Sequence, residues 1–174
     1  VEACPEARMK IVGQEVTKGV TKALKKKIRK AGLEEHVELC GGTENVEPYY
    51  KDARIFLCTS SCEAFSMTIV ESKGYGIPLV TYDMPYLEVL KSRQGCICVP
   101  QDDIEAAANA IIQLLRDDEL HQTLKEQARK SYETLQEFDL KEAWECFLKS
   151  LAEGEPKRTE ETFRREDVGM LLTT

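Results

Sequence analysis

The chain has 174 residues, 42% hydrophobic and 32% charged, with 24 Lys and Arg against 31 Asp and Glu for a net charge of −7. That length fits about one domain, large enough to bury a core unaided, and the apolar content excludes a disordered chain. No apolar run nears the roughly 20 residues of a membrane span, and a net-acidic surface argues against broad nucleic-acid binding, which must neutralise phosphates. The first 12 residues show no signal-peptide pattern, and without an initiator Met the chain is expected to start inside a longer one.

In chain order, brief apolar runs alternate with longer helical stretches. The runs at 9–12, 37–40, 55–58, 77–81 and 96–99 are rich in Ile, Val, Leu and Cys. Such runs suit strands buried on both faces of a parallel sheet. Five of them with helical segments between predict an α/β fold, a Rossmann-like doubly wound parallel sheet with helices on both faces. After the first run, residues 17–33 contain no acid but carry Lys18, Lys22, Lys25, Lys26, Lys27, Arg29 and Lys30, beside a narrow stripe of Val20, Leu24, Ile28 and Ala31. A helix of this kind either offers a cationic face to anionic lipid or a phosphate-bearing ligand, or is a solvated surface. The solvated surface is the simpler reading.

After Pro100 the pattern is helical. Asp102 followed by Glu105 predicts a cap at Asp102, with a core-facing stripe of Ile104, Ala107, Ala108, Ile111, Ile112 and Leu115. Leu120, Leu124, Ala128, Tyr132 and Leu135 form a second stripe. Leu140, Trp144, Phe147, Leu148 and Leu151 form a third, capped by Asp139 with Glu142, and both read as core-facing. Beyond Glu153, Gly154 and Pro156 break the helix and a mostly charged stretch follows. Residues 1–152 are therefore expected as one domain with C-terminal helices, and 153–174 as a linker into a further truncated segment.

The seven cysteines stand at 4, 40, 58, 62, 96, 98 and 146, without the two-residue spacing of a zinc knuckle. Most fall in apolar runs, where a free thiol behaves as a small hydrophobe, so reduced buried thiols are expected. His36 and His121 read as ordinary surface or core-edge residues.

The stretch from Thr59 to Val80 carries the chemistry. It follows a predicted strand, so it starts at that strand's carboxyl end, where open parallel sheets bind ligands. A helix predicted from near Ser66 to about Tyr75 points unpaired backbone N–H groups and a positive dipole end at that edge, which is an anion site. Glu63 lies just before this helix and Glu71 about two turns inside it. Gly76 can end the helix, and Pro78 opens the next strand. A lone Glu in either place is more often a dipole-compensating or solvent-facing group.

These two glutamates, eight positions apart, resemble the signature of the retaining group 1 glycosyltransferases of the GT-B fold. Ser60 matches the Ser of the family's Ser-x-x-Glu, Phe65 its aromatic, and residues 76–80 its Gly-x-Pro-Val-Val run. Glu88 matches the glutamate after the next strand, and residues 95–100 with Asp103 resemble its Gly-Leu-Leu-Val-Pro-x-x-Asp stretch. The likeness covers about residues 7–150. The chain departs from the family at Ala64 and Ser66, where Gly is common, at Ser72-Lys73-Gly74, where Ala-Met-Ala is common, and at Pro85-Tyr86.

The resemblance implies the nucleotide-sugar donor-binding C-terminal half of a GT-B enzyme, lacking its first strand and its acceptor-binding N-terminal half. The parent would transfer a glycosyl group from a UDP- or GDP-type sugar to an acceptor hydroxyl with retention, in polysaccharide biosynthesis, without cofactor or metal. The alternative is a non-catalytic nucleotide-sugar-binding or protein-interaction domain. Glu63 is the implied catalytic residue, touching the transferred sugar. Glu71 would take the ribose hydroxyls. Ser60 and the backbone around Phe65, Ser66 and Met67 would face sugar and diphosphate, and Gly41, Gly42 and Thr43 would lie where the base passes. Cys58 and Cys62 have no base nearby and are rejected as nucleophiles. The expected location is cytoplasmic, with peripheral contact at the inner membrane face left open by the basic helix. The isolated 174-residue piece is expected to be inactive.

Overall fold

The computed structural model describes residues 1–137 and 139–152. The segment expected as a linker, 153–174, lies outside them. The chain divides into two compact units, Val1–Ala53 and a second beginning at Arg54.

In the first unit, β1 (Met9–Val12) and β2 (Val37–Gly41) pair in parallel, with an irregularity between Ile11 and Val12. They are joined by α1 (Val20–Lys30), and α2 (Glu47–Asp52) follows. No residue of α1 is buried, and Lys22, Lys25, Lys26, Lys27, Arg29 and Lys30 are all exposed. The helix has a solvated cationic face, because its apolar stripe is only Leu24 and Ile28 wide at half-burial. His36 meets the Ala7 carbonyl and the Arg8 guanidinium through Nδ1 at 3.0 Å each.

The second unit is built on β3 (Phe56–Cys58), β4 (Leu79–Tyr82) and β5 (Cys96–Val99), all parallel in the order β3-β4-β5. Between them run α3 (Met67–Gly74) and α4 (Glu88–Lys91), and α5 (Ile104–Arg116), α6 (Asp118–Gln136) and α7 (Leu140–Ala152) follow. The expected strands are all present, but hydrogen bonding divides them into a two-stranded and a three-stranded parallel sheet. The fourth strand begins two residues later than its apolar run, because Ile77 and Pro78 complete the turn out of α3; the Pro78 carbonyl accepts from the Phe56 N–H at 2.9 Å.

Strand alternation sorts the core onto two faces. Phe56, Cys58, Leu79, Cys96 and Cys98 pack with Ile69 of α3, with Leu87, Val89 and Leu90 in and beside α4, and with Leu135 of α6. Leu57, Val80, Tyr82, Ile97 and Val99 pack with Ala107, Ala110 and Leu114 of α5 and Leu124 of α6. Helices thus cover both faces, and every residue of the central strand β4 is buried. That is the reason its run reads as continuous apolar sequence rather than as alternation.

Three expectations are corrected. The cap of α5 is Asp103, whose side chain accepts from the Ala106 N–H at 2.8 Å, while Asp102 takes a left-handed φ of 60° in the preceding turn. The buried line of α5 is Ala107, Ala110 and Leu114, with Ile104 77% exposed and Ala108 outside. Alanines on several sides of the helix made its periodicity ambiguous. In α7, Trp144, Phe147, Leu148 and Leu151 are exposed rather than core-facing, with Trp144 and Phe147 in edge-to-face contact at 5.8 Å. Among the described side chains of α7 only Ala143 is buried. Asp139 does cap α7, accepting from the Glu142 N–H at 2.9 Å. No described helix is long and apolar enough to cross a membrane.

Candidate functional site

The site expected from the sequence starts where β3 ends. Cys58 is buried in the core, and the chain then turns outward through Ser60, which is half-buried, to Glu63. The backbone N–H of Glu63 donates to the hydroxyl of Tyr86, 3.2 Å away in the loop after β4. Gln101, just beyond β5, donates from Nε2 to the Asp83 carbonyl at 3.0 Å and reaches the Ser61 carbonyl at 3.5 Å. Loops from the carboxyl ends of β3, β4 and β5 are thereby tied together, along the edge where parallel sheets place ligands.

Helix α3 rises from this edge. Ser66 precedes it with φ 62° and ψ 78°, and no side chain caps its amino end. Its first turn contains no acid. The positive end of the helix is therefore not neutralised from within its own turn, which suits an anionic group. The left-handed backbone is costly for Ser and natural for Gly, the residue common in the family here. It holds Ser66 buried while Phe65 and Met67 on either side stay exposed, at 43% and 60%. Glu71 lies on the second turn and is half-buried, as is Glu63.

The helix ends as its sequence requires. Gly76 adopts φ 68°, its N–H donates to Lys73 O at 2.8 Å, and the Ile77 N–H reaches back to Ser72 O at 2.9 Å. This paired closure satisfies the last carbonyls and turns the chain into β4.

Gly41, Gly42 and Thr43 belong to the first unit, at the carboxyl end of β2. Gly41 has φ 73°, and its carbonyl accepts from the Gly13 N–H at 2.8 Å. A Cβ on Gly42 would lie 2.2 Å from Cγ of Gln14, so the loops after β1 and β2 run close together. The Thr43 hydroxyl closes a local turn with Asn45 through contacts of 3.1 and 3.2 Å.

Glu88 heads the four-residue α4 and forms an ion pair with Lys91, a helix-end role. His121 hydrogen-bonds the Arg54 carbonyl at 2.9 Å through Nε2, so it too is structural. Tyr86 and Gln101 escaped the sequence reading. Their contacts lie 23 and 40 positions away in the chain, beyond any local pattern. Among the described residues no group of three or more His, Cys, Asp or Glu could hold a metal ion. All seven cysteines are free; Cys4, Cys58 and Cys96 are buried, but Cys62 and Cys146 are exposed.

Parallel strands with helices on both faces define a Rossmann-like α/β protein. The profile described as "Glycosyl transferases group 1" matches residues 2–131, and the chain belongs to that family. It is 30% identical over 155 residues to a poly(glycerol-phosphate) alpha-glucosyltransferase of Bacillus subtilis, covering 88% of this chain and 23% of the relative. It is 27% identical to the GtfA subunit of a UDP-N-acetylglucosamine–peptide N-acetylglucosaminyltransferase of Streptococcus pneumoniae, covering 86% of this chain and 30% of the relative. Among solved structures, HepE of Anabaena in complex with UDP and glucose superposes with a TM-score of 0.69 at 21% identity, over 75% of this chain and 36% of that one. This last likeness carries the fold, that of the GT-B glycosyltransferases. The chain thus spans about a quarter to a third of these proteins.

Proposed function

We propose that this chain is the donor-binding part of a retaining glycosyltransferase that takes a sugar from a nucleoside diphosphate, of uridine type, to an acceptor hydroxyl. The carrying observation is the uncapped, acid-free amino end of α3 at the carboxyl edge of β3, with Glu63 just before it and Glu71 on its second turn. Amide donors and a helix dipole can hold diphosphate charge without a metal. Glu63 then reaches the hydroxyls of the transferred sugar, and Glu71 accepts from the ribose diol, where charged hydrogen bonds give both strength and direction. Ser60, with the backbone of Phe65, Ser66 and Met67, lines the sugar–diphosphate side. The HepE complex with UDP and glucose supports the uridine assignment.

Calorimetric titration of the full-length protein with UDP and with GDP tests the reading. UDP binding is expected, weakened at least roughly tenfold in Glu71→Gln, since a charged hydrogen bond contributes about 1.5–3 kcal/mol. Binding unchanged in Glu71→Gln overturns the site, and binding without turnover identifies a non-catalytic module.

A further inference from the structure

Strand β5 carries two thiols that the proposed transfer chemistry leaves unused. Cys96 and Cys98 are two residues apart, so they project from the same face of the strand. Their Sγ atoms are 3.7 Å apart. Cys96 is buried at 7% exposure, whereas Cys98 is half-buried.

The surroundings of the pair are cationic. Arg93, held at φ 55° just before the strand, bonds Asp83 at 2.9 Å and lends its charge to the Cys98 sulfur. Lys73 of α3, wholly buried, lies close enough to act on both sulfurs. The charged groups facing Cys98 are therefore Arg93, Lys73 and, in opposition, Asp83. A hydrogen bond from the Cys96 thiol, followed by the Arg93 charge, lowers the Cys98 thiol to about 7. The bond between the thiols, followed by burial, raises Cys96. Near neutrality Cys98 is thus partly thiolate, while Cys96 stays a thiol.

We propose that Cys96 and Cys98 form a redox-reversible dithiol that reacts with peroxides, Cys98 attacking and Cys96 resolving. The Cys98 thiolate displaces one oxygen of hydrogen peroxide; the O–O bond breaks, a water molecule leaves after taking up a proton, and the sulfur becomes a sulfenic acid. The Cys96 sulfur then attacks the Cys98 sulfur and expels hydroxide. That hydroxide leaves as a second water with the Cys96 proton. Two thiols are oxidised by two electrons to a disulfide, and the peroxide is reduced to two waters.

The geometry makes this disulfide easy to reverse. Two residues along a strand separate the Cα atoms by about 6.6 Å, near the outer end of the usual 4.4–6.8 Å range for a disulfide. Closing the bond must bend β5, and strained disulfides are the readily reduced ones. Strand β5 pairs only with β4 in the described sheet, so its other side is not held by a ladder there.

The test is mass spectrometry of the full-length protein after hydrogen peroxide, blocking of remaining thiols with iodoacetamide, and trypsin. Cleavage after Arg93 and Arg116 leaves both cysteines on one peptide, residues 94–116. The expected product is that peptide, unalkylated, lighter by two hydrogens and restored by dithiothreitol. With dimedone present, Cys96→Ser should trap an adduct on Cys98, and Cys98→Ser none on Cys96. If peptide 94–116 stays doubly alkylated at peroxide levels that oxidise exposed Cys62 or Cys146, the proposal fails. Dimedone on Cys96 in Cys98→Ser equally overturns the assigned order of attack. The disulfide measurement on the unmodified sequence needs no variant, so a misfolded mutant leaves it decisive.

Discussion

The Lys73 ammonium, wholly buried, donates to the Val89 carbonyl at 2.6 Å, and to the Ser131 hydroxyl at 3.0 Å. One side chain on α3 thereby joins the end of the signature helix to α4 and α6. Burial disfavours its charged form and lowers its pKa from the ordinary 10.5. In the window between the lowered folded value and the unfolded value the unfolded chain binds more protons, so stability rises with pH there. The cost of the buried charge is full below that window and gone above it. Relative to Lys73→Met, the wild type should gain stability as pH rises through that window toward 10.5, by about 1.4 kcal/mol per unit of lowering. Urea denaturation of both proteins at several pH values measures this; a constant difference rules it out.

The two glutamates should separate kinetically. Glu71 is assigned to the ribose, which does not change in the reaction, so its loss removes ground-state and transition-state binding alike. Glu71→Gln should raise KM at least about tenfold with kcat little changed. Glu63 is assigned to the sugar on which charge develops, so Glu63→Gln should lower kcat at least about tenfold. Steady-state kinetics of the full-length enzyme on its donor decides; normal constants in both variants return these residues to helix-end and solvent-facing roles.

The cap of α5 gives a contrast between adjacent aspartates. Asp103→Ala removes the acceptor of the Ala106 N–H and should cost about 1 kcal/mol. Asp102→Gly, at a φ of 60°, relieves a left-handed strain and should change stability by less than about 0.5 kcal/mol. Equal losses in thermal unfolding would show that the cap is shared.

Gly95 is a packing requirement as well as a backbone one. At φ 72°, a Cβ there would lie 2.5 Å from the Ala128 Cα and 2.6 Å from its N, both backbone atoms of α6. Strain of about 1–2 kcal/mol and overpacking of about 1–3 kcal/mol should make Gly95→Ala severely destabilising. Gly32, at φ 65° with open space around it, should bear only the strain in Gly32→Ala, about 1–2 kcal/mol. Chemical denaturation midpoints compare the two, and similar losses would refute the close approach of α6.

Ser66 offers the opposite case. Its φ of 62° is left-handed, and its hydroxyl makes a 3.4 Å contact with Thr68. Ser66→Gly should raise stability by about 0.5–1 kcal/mol, the strain relieved less the extra freedom of the unfolded chain. A lower melting temperature would show that the hydroxyl matters more than the backbone.

Read as a string, the sequence determined what depends on near neighbours. The apolar runs located the five strands of the described residues, because residues buried on both faces of a parallel sheet must be apolar throughout. Gly76 marked the end of α3, since the closing turn needs a left-handed residue. The strand–loop–helix order from Thr59 to Val80 put Glu63 before the helix and Glu71 within it, where the structure has them. Only the tertiary structure decided which loops meet. The Glu63 amide against the Tyr86 hydroxyl, Gln101 between the loops of Ser61 and Asp83, and Lys73 beneath α6 all join segments far apart in the chain. The same holds for the helices. The stripe expected for α5 included Ile104 and Ala108, which stay exposed, while the sheet buries Ala107, Ala110 and Leu114, and the stripe of α7, regular in sequence, stays exposed among the described residues. Periodicity tells which side of an element is apolar; what covers that side depends on strand order and helix docking, which are set by contacts between distant segments rather than by local spacing.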